Sequence, residues 1–381
     1  MKNKIKIMTV FGTRPEAIKM APLIKELEKE SASFITKNII TAQHREMLDQ
    51  VLTIFKIKPD FDLNIMKKNQ SLSDITVTVS QDLAEIFQKE RPNLVLVHGD
   101  TTTTFATSLS AFYQQIPIGH VEAGLRTWQK YSPFPEEMNR EMVDDLSDLY
   151  FAPTKKNYDN LISEHKDKNK IFITGNTGID ALKYTVNDSF DSPEFNDIDF
   201  SKKIILLTAH RRENQGKKME KMFQAILNVV KSDRNFLLVY PVHRSPAVQK
   251  AAYDVFNNED QVKLINPLDV VHFHNLIKRS FVILSDSGGV QEEAPALNKP
   301  VLVLRDTTER PEAVQTGAIK LVGTDPYTIE HALRKLVSDP IEYKKMAEAK
   351  NPYGDGQSAQ RIVSAIKYYF DLNPCRPNAF V

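Results

Sequence analysis

Short runs of β-branched and aliphatic residues alternate along this chain with longer stretches in which apolar positions recur every three or four residues. The runs predict strands over Lys4–Val10, Ile35–Thr41, Leu94–His98, Pro117–Val121, Leu149–Ala152 and Ile171–Thr174. Between them Pro15–Lys29 and Leu72–Glu90 carry the helical period, marked in the second by Leu72, Ile75, Val79, Leu83 and Ile86. Pro15 suits a first helical turn, where its missing N–H costs nothing. The segments "NLVLVHGD" and "PIGHVEAG" are nearly continuously apolar, the pattern of parallel strands covered on both faces.

After about Asn187 the text turns polar and irregular, "NDSFDSPEFNDIDFS", and reads as a connection. The alternation then restarts. Strands are predicted over Lys203–Ala209, Phe236–Val239, Val262–Ile265, Phe281–Leu284 and Val301–Leu304, with helices over Lys217–Lys231, Ser245–Phe256, Asp269–Lys278 and Val290–Leu297. This pattern predicts an α/β protein with two doubly wound parallel sheets around a cleft. The expected division is residues 1–175 and 176–357. The amphipathic stretch Ala359–Tyr369, within about 358–381, is expected to return to the first domain.

The 381 residues suit two domains, and 41% hydrophobic with 26% charged residues is ordinary for a globular protein. Fifty Lys+Arg against 49 Asp+Glu leave a formal charge of +1, so no bulk field favours nucleic acid or a membrane surface. An anionic ligand must then be held by local charge. The single cysteine, Cys375, makes no internal disulfide and no cysteine-rich metal site. "MKNKIKIMTVFG" is a poor signal peptide, and no run approaches the ~18 apolar residues of a membrane span. A cytoplasmic protein is expected.

Ligands of open parallel sheets bind beyond the carboxyl ends of the strands. Those ends carry "FGTRPEAIK", "HGDTTTT", "HVEAGLRT", "HRREN" and "SDSGGVQEEAP", which put Arg14, Asp100, Glu122, His210 and Ser287 on the same rims. Ser287, Gly288 and Gly289 at a helix start offer a hydroxyl and backbone N–H groups to an anion, unless Ser287 is a plain helix cap. Glu292 or Glu293 reaches a diol such as ribose, or both lie on a solvated helix face. Arg14, Lys19 and Arg310 supply mobile positive charge for a diphosphate, or pair with surface carboxylates. With one glycine and an Arg–Lys pair, the first loop lacks the G-x-G-x-x-G fingerprint of a dinucleotide site.

Asp100, Glu122 and Glu136 gather carboxylates suited to divided acid and base roles. The alternative is helix capping, for which Asp100 before four threonines is well placed. His210 reads as a proton carrier, an anion contact or a structural hydrogen bonder. His44, His120, His243, His272 and His274 show no metal-ligand spacing, so neither a metal nor another cofactor is expected. The residues alone lead to an enzyme that binds an anionic, nucleotide-like ligand.

"VFGTRPEAIKMAPL", "TAQHREMLDQ", "HGDTTTT", "HVEAGLRT", "PFPEEMNR", "TGNTGIDAL", "TAHRREN", "SDSGGVQEEAP" and "RDTTERPEAV" run in order from residue 10 to beyond residue 310. Together they resemble the non-hydrolysing UDP-N-acetylglucosamine 2-epimerases. The resemblance implies a glycosyltransferase-B-like fold and a homodimer. It also implies reversible conversion of UDP-GlcNAc to UDP-ManNAc without NAD or metal. The implied route is elimination of UDP to 2-acetamidoglucal followed by re-addition, supplying ManNAc for envelope polysaccharide or teichoic-acid linkage synthesis. By the same resemblance Asp100, Glu122, Glu136 and His210 serve proton transfer. Arg14 and Lys19 contact the substrate near its phosphates, Ser287, Gly288 and Gly289 hold the diphosphate, and Arg310 contacts the nucleotide. Glu293 meets the ribose, and Leu268 and Phe273 meet the uracil. A second UDP-GlcNAc as allosteric activator is implied at Gln43, Gln70, Glu136, Arg211 and His243. Glu46 and Asn69 stand where glutamine and arginine are usual, and Gly178 stands where a larger apolar residue is common.

Overall fold

The computed structural model describes residues 4–43, 45–67, 70–308 and 310–381, apart from the side chains at 46 and 47. His44, the Glu46 side chain and Asn69 lie outside the described residues. Two compact units divide the chain: Met1–Tyr184 with Tyr353–Val381, and Thr185–Pro352. Among the described residues, no helix is long and apolar enough to cross a membrane.

The first unit holds strands β1 (Ile5–Phe11), β2 (Phe34–Ile40), β3 (Phe61–Asp62), β4 (Leu94–His98), β5 (Ile118–Val121), β6 (Leu149–Ala152) and β7 (Ile171–Ile173). They form a parallel sheet in the order β3-β2-β1-β4-β5-β6-β7. Alternation along the strands divides the core. Ile7, Phe11, Leu94 and Leu96 face one layer, whereas Met8, Val10, Val95 and Val97 face the other. The first layer includes Met20, Leu23 and Leu27 of the Arg14–Lys29 helix and Ile362, Val363 and Ile366 of the Ser358–Tyr369 helix. Each such side chain contributes about 1.5–3 kcal/mol by leaving water, which ties the C-terminal helix to the first unit.

The second unit holds β8 (Lys203–Thr208), β9 (Phe236–Pro241), β10 (Val262–Ile265), β11 (Val282–Ser285), β12 (Val301–Val303) and β13 (Ile319–Leu321). Its parallel order is β10-β9-β8-β11-β12-β13. Both sheets are doubly wound, as expected of the glycosyltransferase-B-like class. The strand order reverses between β1 and β4 in the first and between β8 and β11 in the second. Two elements depart from the predicted strand list. The two-residue β3 is too short for a period of two to register, and β13 has a charged centre, Lys320. Phe281 lies just before β11 and stacks on Tyr343, with ring centroids 4.3 Å apart.

At the first reversal one side chain organises both departing loops. Thr13 caps the Arg14–Lys29 helix, and Glu16, fully buried, completes the capping box. Glu16 Oε2 accepts from the backbone N–H of Gly12 (3.0 Å) and Thr13 (2.7 Å). Oε1 lies 2.7 Å from Thr101 Oγ1 and 3.0 Å from Thr104 Oγ1. Thr104 Oγ1 is also 2.7 Å from the His98 carbonyl. A hydroxyl has one hydrogen, and the carbonyl can only accept, so Thr104 donates to His98. Glu16 Oε1 accepts from the Thr101 hydroxyl, which supplies its hydrogen. Burial raises the Glu16 pKa, and the donors Thr101, Gly12 and Thr13 offset part of that rise.

Gly12 is required by close approach. A Cβ there would lie 2.0 Å from Thr41 Oγ1 and 2.8 Å from Thr103 Oγ1. Those hydroxyls are 3.2 Å apart, and Thr103 donates to Gln43 Oε1 at 3.1 Å.

Two predictions follow from these contacts. Above the ordinary Glu value of 4.5 the unfolded chain loses a proton that folded Glu16 keeps. Stability from this group therefore falls by about 1.4 kcal/mol per pH unit as pH rises, until the raised pKa is passed. Glu16→Gln keeps the side-chain shape and removes that slope. In urea titrations from about pH 5 to about pH 8 it should gain on the wild type as pH rises, and parallel curves would refute the raised pKa. Gly12→Ala should lose about 1–3 kcal/mol by overpacking, read from the same titrations.

Candidate active site

The rim of the first unit is built at the carboxyl ends of β1, β4 and β5. Asp100 follows β4, but it does not cap the next helix. Thr101 does so, accepting from Thr104 N at 3.1 Å, which corrects the capping alternative for Asp100. Asp100 instead pairs with Arg140, and its carbonyl accepts from Asn139 Nδ2 at 2.9 Å. The run of threonines hid this because both residue types cap well.

Glu122 ends β5 with φ of +71°, a left-handed conformation that costs a non-glycine residue energy. Its carboxylate pairs with Lys19 and accepts from Asn176 Nδ2 at 3.1 Å. Lys19 therefore rests on a carboxylate. Arg14, half-buried in the same helix, has no ion-pair partner among the described residues. Gly178 opens the Thr177–Thr185 helix, and a Cβ there would lie 3.6 Å from Lys19 Cγ.

Of the adjacent glutamates in "PEEMNR", Glu137 is consumed structurally. It is fully buried, and its Oε1 accepts from the backbone N–H of Thr127 (2.7 Å) and Trp128 (2.8 Å). Glu136, half-buried at the start of the Glu136–Leu146 helix, has no side-chain partner among the described residues.

Sequence reading missed a buried network beneath this rim. His120 Nδ1 is 2.6 Å from Asp144, and Nε2 is 2.8 Å from the Gly99 carbonyl. Asp144 also accepts from Arg126 Nη2 (2.8 Å) and Gly124 N (3.1 Å). Burial alone would raise the Asp144 pKa, but His120 and Arg126 outweigh it and hold the carboxyl below its usual range. Arg126 loses affinity for its proton through burial and regains more from Glu164 and Asp144, a net rise. The network fixes the Gly99 and Gly124 turns that carry Asp100 and Glu122. An Asp–Arg–His set at such spacing has no sequence signature.

In the second unit the β8 and β11 ends share one acceptor, Asp286. It is fully buried and takes the backbone N–H of His210 (3.0 Å) and Arg211 (2.9 Å). Asp286 was present in "SDSGG" but not singled out. The exposed His210 ring stacks on His243 at 5.3 Å between centroids. Burial first, and then His210, lower the His243 pKa.

Ser287 is not a helix cap. Gly289 occupies that position, and Ser287 N donates to Ser285 Oγ at 3.0 Å. Gly288 is needed for a different reason. A Cβ there would stand 2.8 Å from Arg310 Nη1, because the guanidinium lies across its backbone. Arg310 Nε also donates to Glu292 Oε1 at 2.6 Å, and Glu292 is buried, which corrects the solvated-face alternative. Glu293 Oε2 stands 3.4 Å from His274 Nε2, whose Nδ1 is 2.7 Å from Thr185 Oγ1. Leu268 and Phe273 are half-buried on either side of Asp269, the cap of the Val270–Arg279 helix. Among the described residues, Phe273 is not in the main hydrophobic cluster of this unit.

The residues read as an allosteric set are engaged locally. Gln70 accepts from Lys67 N and donates to the Ile65 carbonyl at 2.7 Å. Arg211 Nε donates to the Asp286 carbonyl at 2.8 Å. His243 Nδ1 accepts from Ser245 N at 3.1 Å.

The sequence profile described as UDP-N-acetylglucosamine 2-epimerase matches residues 25–367. The UDP-N-acetylglucosamine 2-epimerase of Bacillus subtilis is 56% identical over 380 residues, covering 99% of each chain. Among solved structures, a S. aureus MnaA–UDP co-structure superposes with a TM-score of 0.90 at 51% identity, over 99% of this chain and all of that one. The UDP-GlcNAc 2-epimerase of Neisseria meningitidis bound to UDP-GlcNAc gives a TM-score of 0.87 at 50% identity, over 95% of this chain and 99% of that one. With two doubly wound sheets and this agreement along nearly the whole sequence, the chain belongs to the UDP-N-acetylglucosamine 2-epimerase family.

Proposed function

We propose that the chain interconverts UDP-GlcNAc and UDP-ManNAc by eliminating UDP and adding it back, with neither NAD nor a metal. The observation that carries this reading is the pairing of rim carboxylates with cations, Glu122 with Lys19 and Asp100 with Arg140. C2–H of the sugar is a weak acid, so a base must act as the C1–O bond breaks. The C2–H electron pair becomes the C1=C2 bond of 2-acetamidoglucal, and the C1–O pair leaves with UDP. Re-addition of UDP at C1, with a proton arriving at C2 from the opposite face, gives the epimer.

Asp100, Glu122 and Glu136 are the proton-handling groups in this reading, with His210 as a further carrier. The departing diphosphate needs positive charge where its own charge develops. Arg14 and Lys19 supply it from flexible side chains that can follow the leaving group. Ser287, Gly288 and Gly289 offer backbone and hydroxyl donors beneath the Arg310 guanidinium. Glu293 would accept from the ribose hydroxyls, and Leu268 and Phe273 would flank the uracil.

A second UDP-GlcNAc as activator, a homodimer and a cytoplasmic role in making envelope polysaccharide or teichoic-acid linkage units complete the proposal. Gln43, Gln70, Glu136, Arg211 and His243 are its regulatory residues, and Glu46 would weaken an anionic activator.

Incubation with UDP-GlcNAc in deuterated water, followed by NMR, tests the reaction. Deuterium at C2 of both epimers without free ManNAc is expected, whereas accumulating ManNAc and UDP would mean hydrolysis. Asp100→Asn should lower kcat by about 10²–10⁴-fold. UDP affinity should stay within about threefold by calorimetry. Gly288→Ala displaces the Arg310 guanidinium and should weaken UDP binding about tenfold, or ~1.4 kcal/mol. An unchanged affinity would remove Gly288 and Arg310 from the diphosphate site.

A further inference from the structure

Behind the first rim stands a buried imidazole to which none of these roles is given. His98 closes β4, is 3% exposed, and its Nε2 has no hydrogen-bond partner among the described residues. A buried polar atom left unpaired costs about 1–3 kcal/mol. That nitrogen stands 3.8 Å from Glu122 Oε2, too far for a hydrogen bond and close enough to become one after a small rotation. Glu122 itself carries the strained φ of +71°. Two local costs thus meet across one short gap at the carboxylate assigned to proton transfer.

The charged and titratable groups around the ring act in opposed directions. Burial first, with Lys19 and His120, lowers the His98 pKa to about 3 against the raising pull of the Glu122 carboxylate. At rest Lys19 pairs with Glu122 and offsets part of the carboxylate's influence on the ring. An arriving diphosphate competes for Lys19. Removing that cation strips away a repulsive charge and frees the attractive one, and both changes favour a proton on His98.

We propose that His98 is the proton partner of Glu122, a positioning residue brought into play when the substrate diphosphate draws Lys19 away. This rests on the reading of Glu122 as a proton-transfer group. In the step, Glu122 Oε2 and His98 Nε2 close into a hydrogen bond. The proton that Glu122 takes from C2 is passed to the lone pair of Nε2, and it returns by the same path in the reverse reaction. No oxidant, reductant or further reactant is involved. Glu122 is thereby restored as a carboxylate while the glucal and UDP are still bound.

His98→Gln keeps a hydrogen-bonding side chain that cannot titrate. It should lower kcat and the rate of C2 deuterium exchange together by about 10–100-fold. KM, UDP affinity and Tm should stay close to the wild-type values, and the acidic limb of the kcat–pH profile should change. A kcat within about twofold of wild type, or a loss matched by falling UDP affinity and Tm, would overturn the proposal. Should the variant not fold, ¹⁵N NMR of the wild-type His98 ring decides, because saturating UDP should raise its pKa by at least about one unit. An unmoved ring overturns the partnership. Absence of C2 exchange in the wild type would instead overturn the parent reading of the reaction, a result distinguishable from a defect confined to His98→Gln.

Discussion

The buried carboxyl of Glu16 is the contact on which the first rim depends. Where the strand order reverses, the β1 and β4 loops leave in opposite directions and their backbone groups lose sheet partners. One side chain meets this need, accepting two N–H groups from the β1 loop and the Thr101 hydroxyl from the β4 loop. Burial without a cation makes the charged form costly there, and the backbone and hydroxyl donors offset part of that cost. Asp100 and His98 flank this joint, so their placement inherits its rigidity.

The second unit meets the same problem from the other side of its reversal. There the carboxyl belongs to the strand end, Asp286 after β11, and it gathers the backbone N–H groups of His210 and Arg211 after β8. In the first unit the carboxyl comes from the helix after β1. The shared demand is geometric, because a sheet wound both ways opens a gap between its central loops. Each sequence fills it with whichever acidic position lies within reach.

Much of the fold was legible because its signals are local. Leu94–His98 and Leu72–Glu90 have the observed boundaries of β4 and its preceding helix, one from an unbroken apolar run and the other from strong periodicity. β3 and β13 were illegible because two or three residues cannot establish a period, and their pairing is decided by neighbouring strands. At the rim, Asp100, Glu122, His210 and Ser287 were found by asking which residues follow strand ends. Their partners were not, because Arg140 and Asn176 reach Asp100 and Glu122 from distant segments. The capping alternative failed at Asp100 and Ser287 for a related reason. Neighbouring residues of equal local aptitude, Thr101 and Gly289, took those positions once tertiary contacts engaged the others.

In the proposed reaction the resting ion pairs link substrate binding to acid–base chemistry. Lys19 with Glu122 and Arg310 with Glu292 are partly shielded from water, where a charge is costly to leave alone. A diphosphate that recruits such a cation must offer more than the carboxylate it displaces, so bivalent anions are favoured over monovalent ones. In the proposed reaction, drawing Lys19 to the diphosphate would leave the Glu122 carboxylate without this counter-charge as the C1–O bond breaks. In that proposal Arg14 and Lys19, at the start of the first helix, can follow the leaving group, which bare backbone N–H groups, unable to move their charge, would not do.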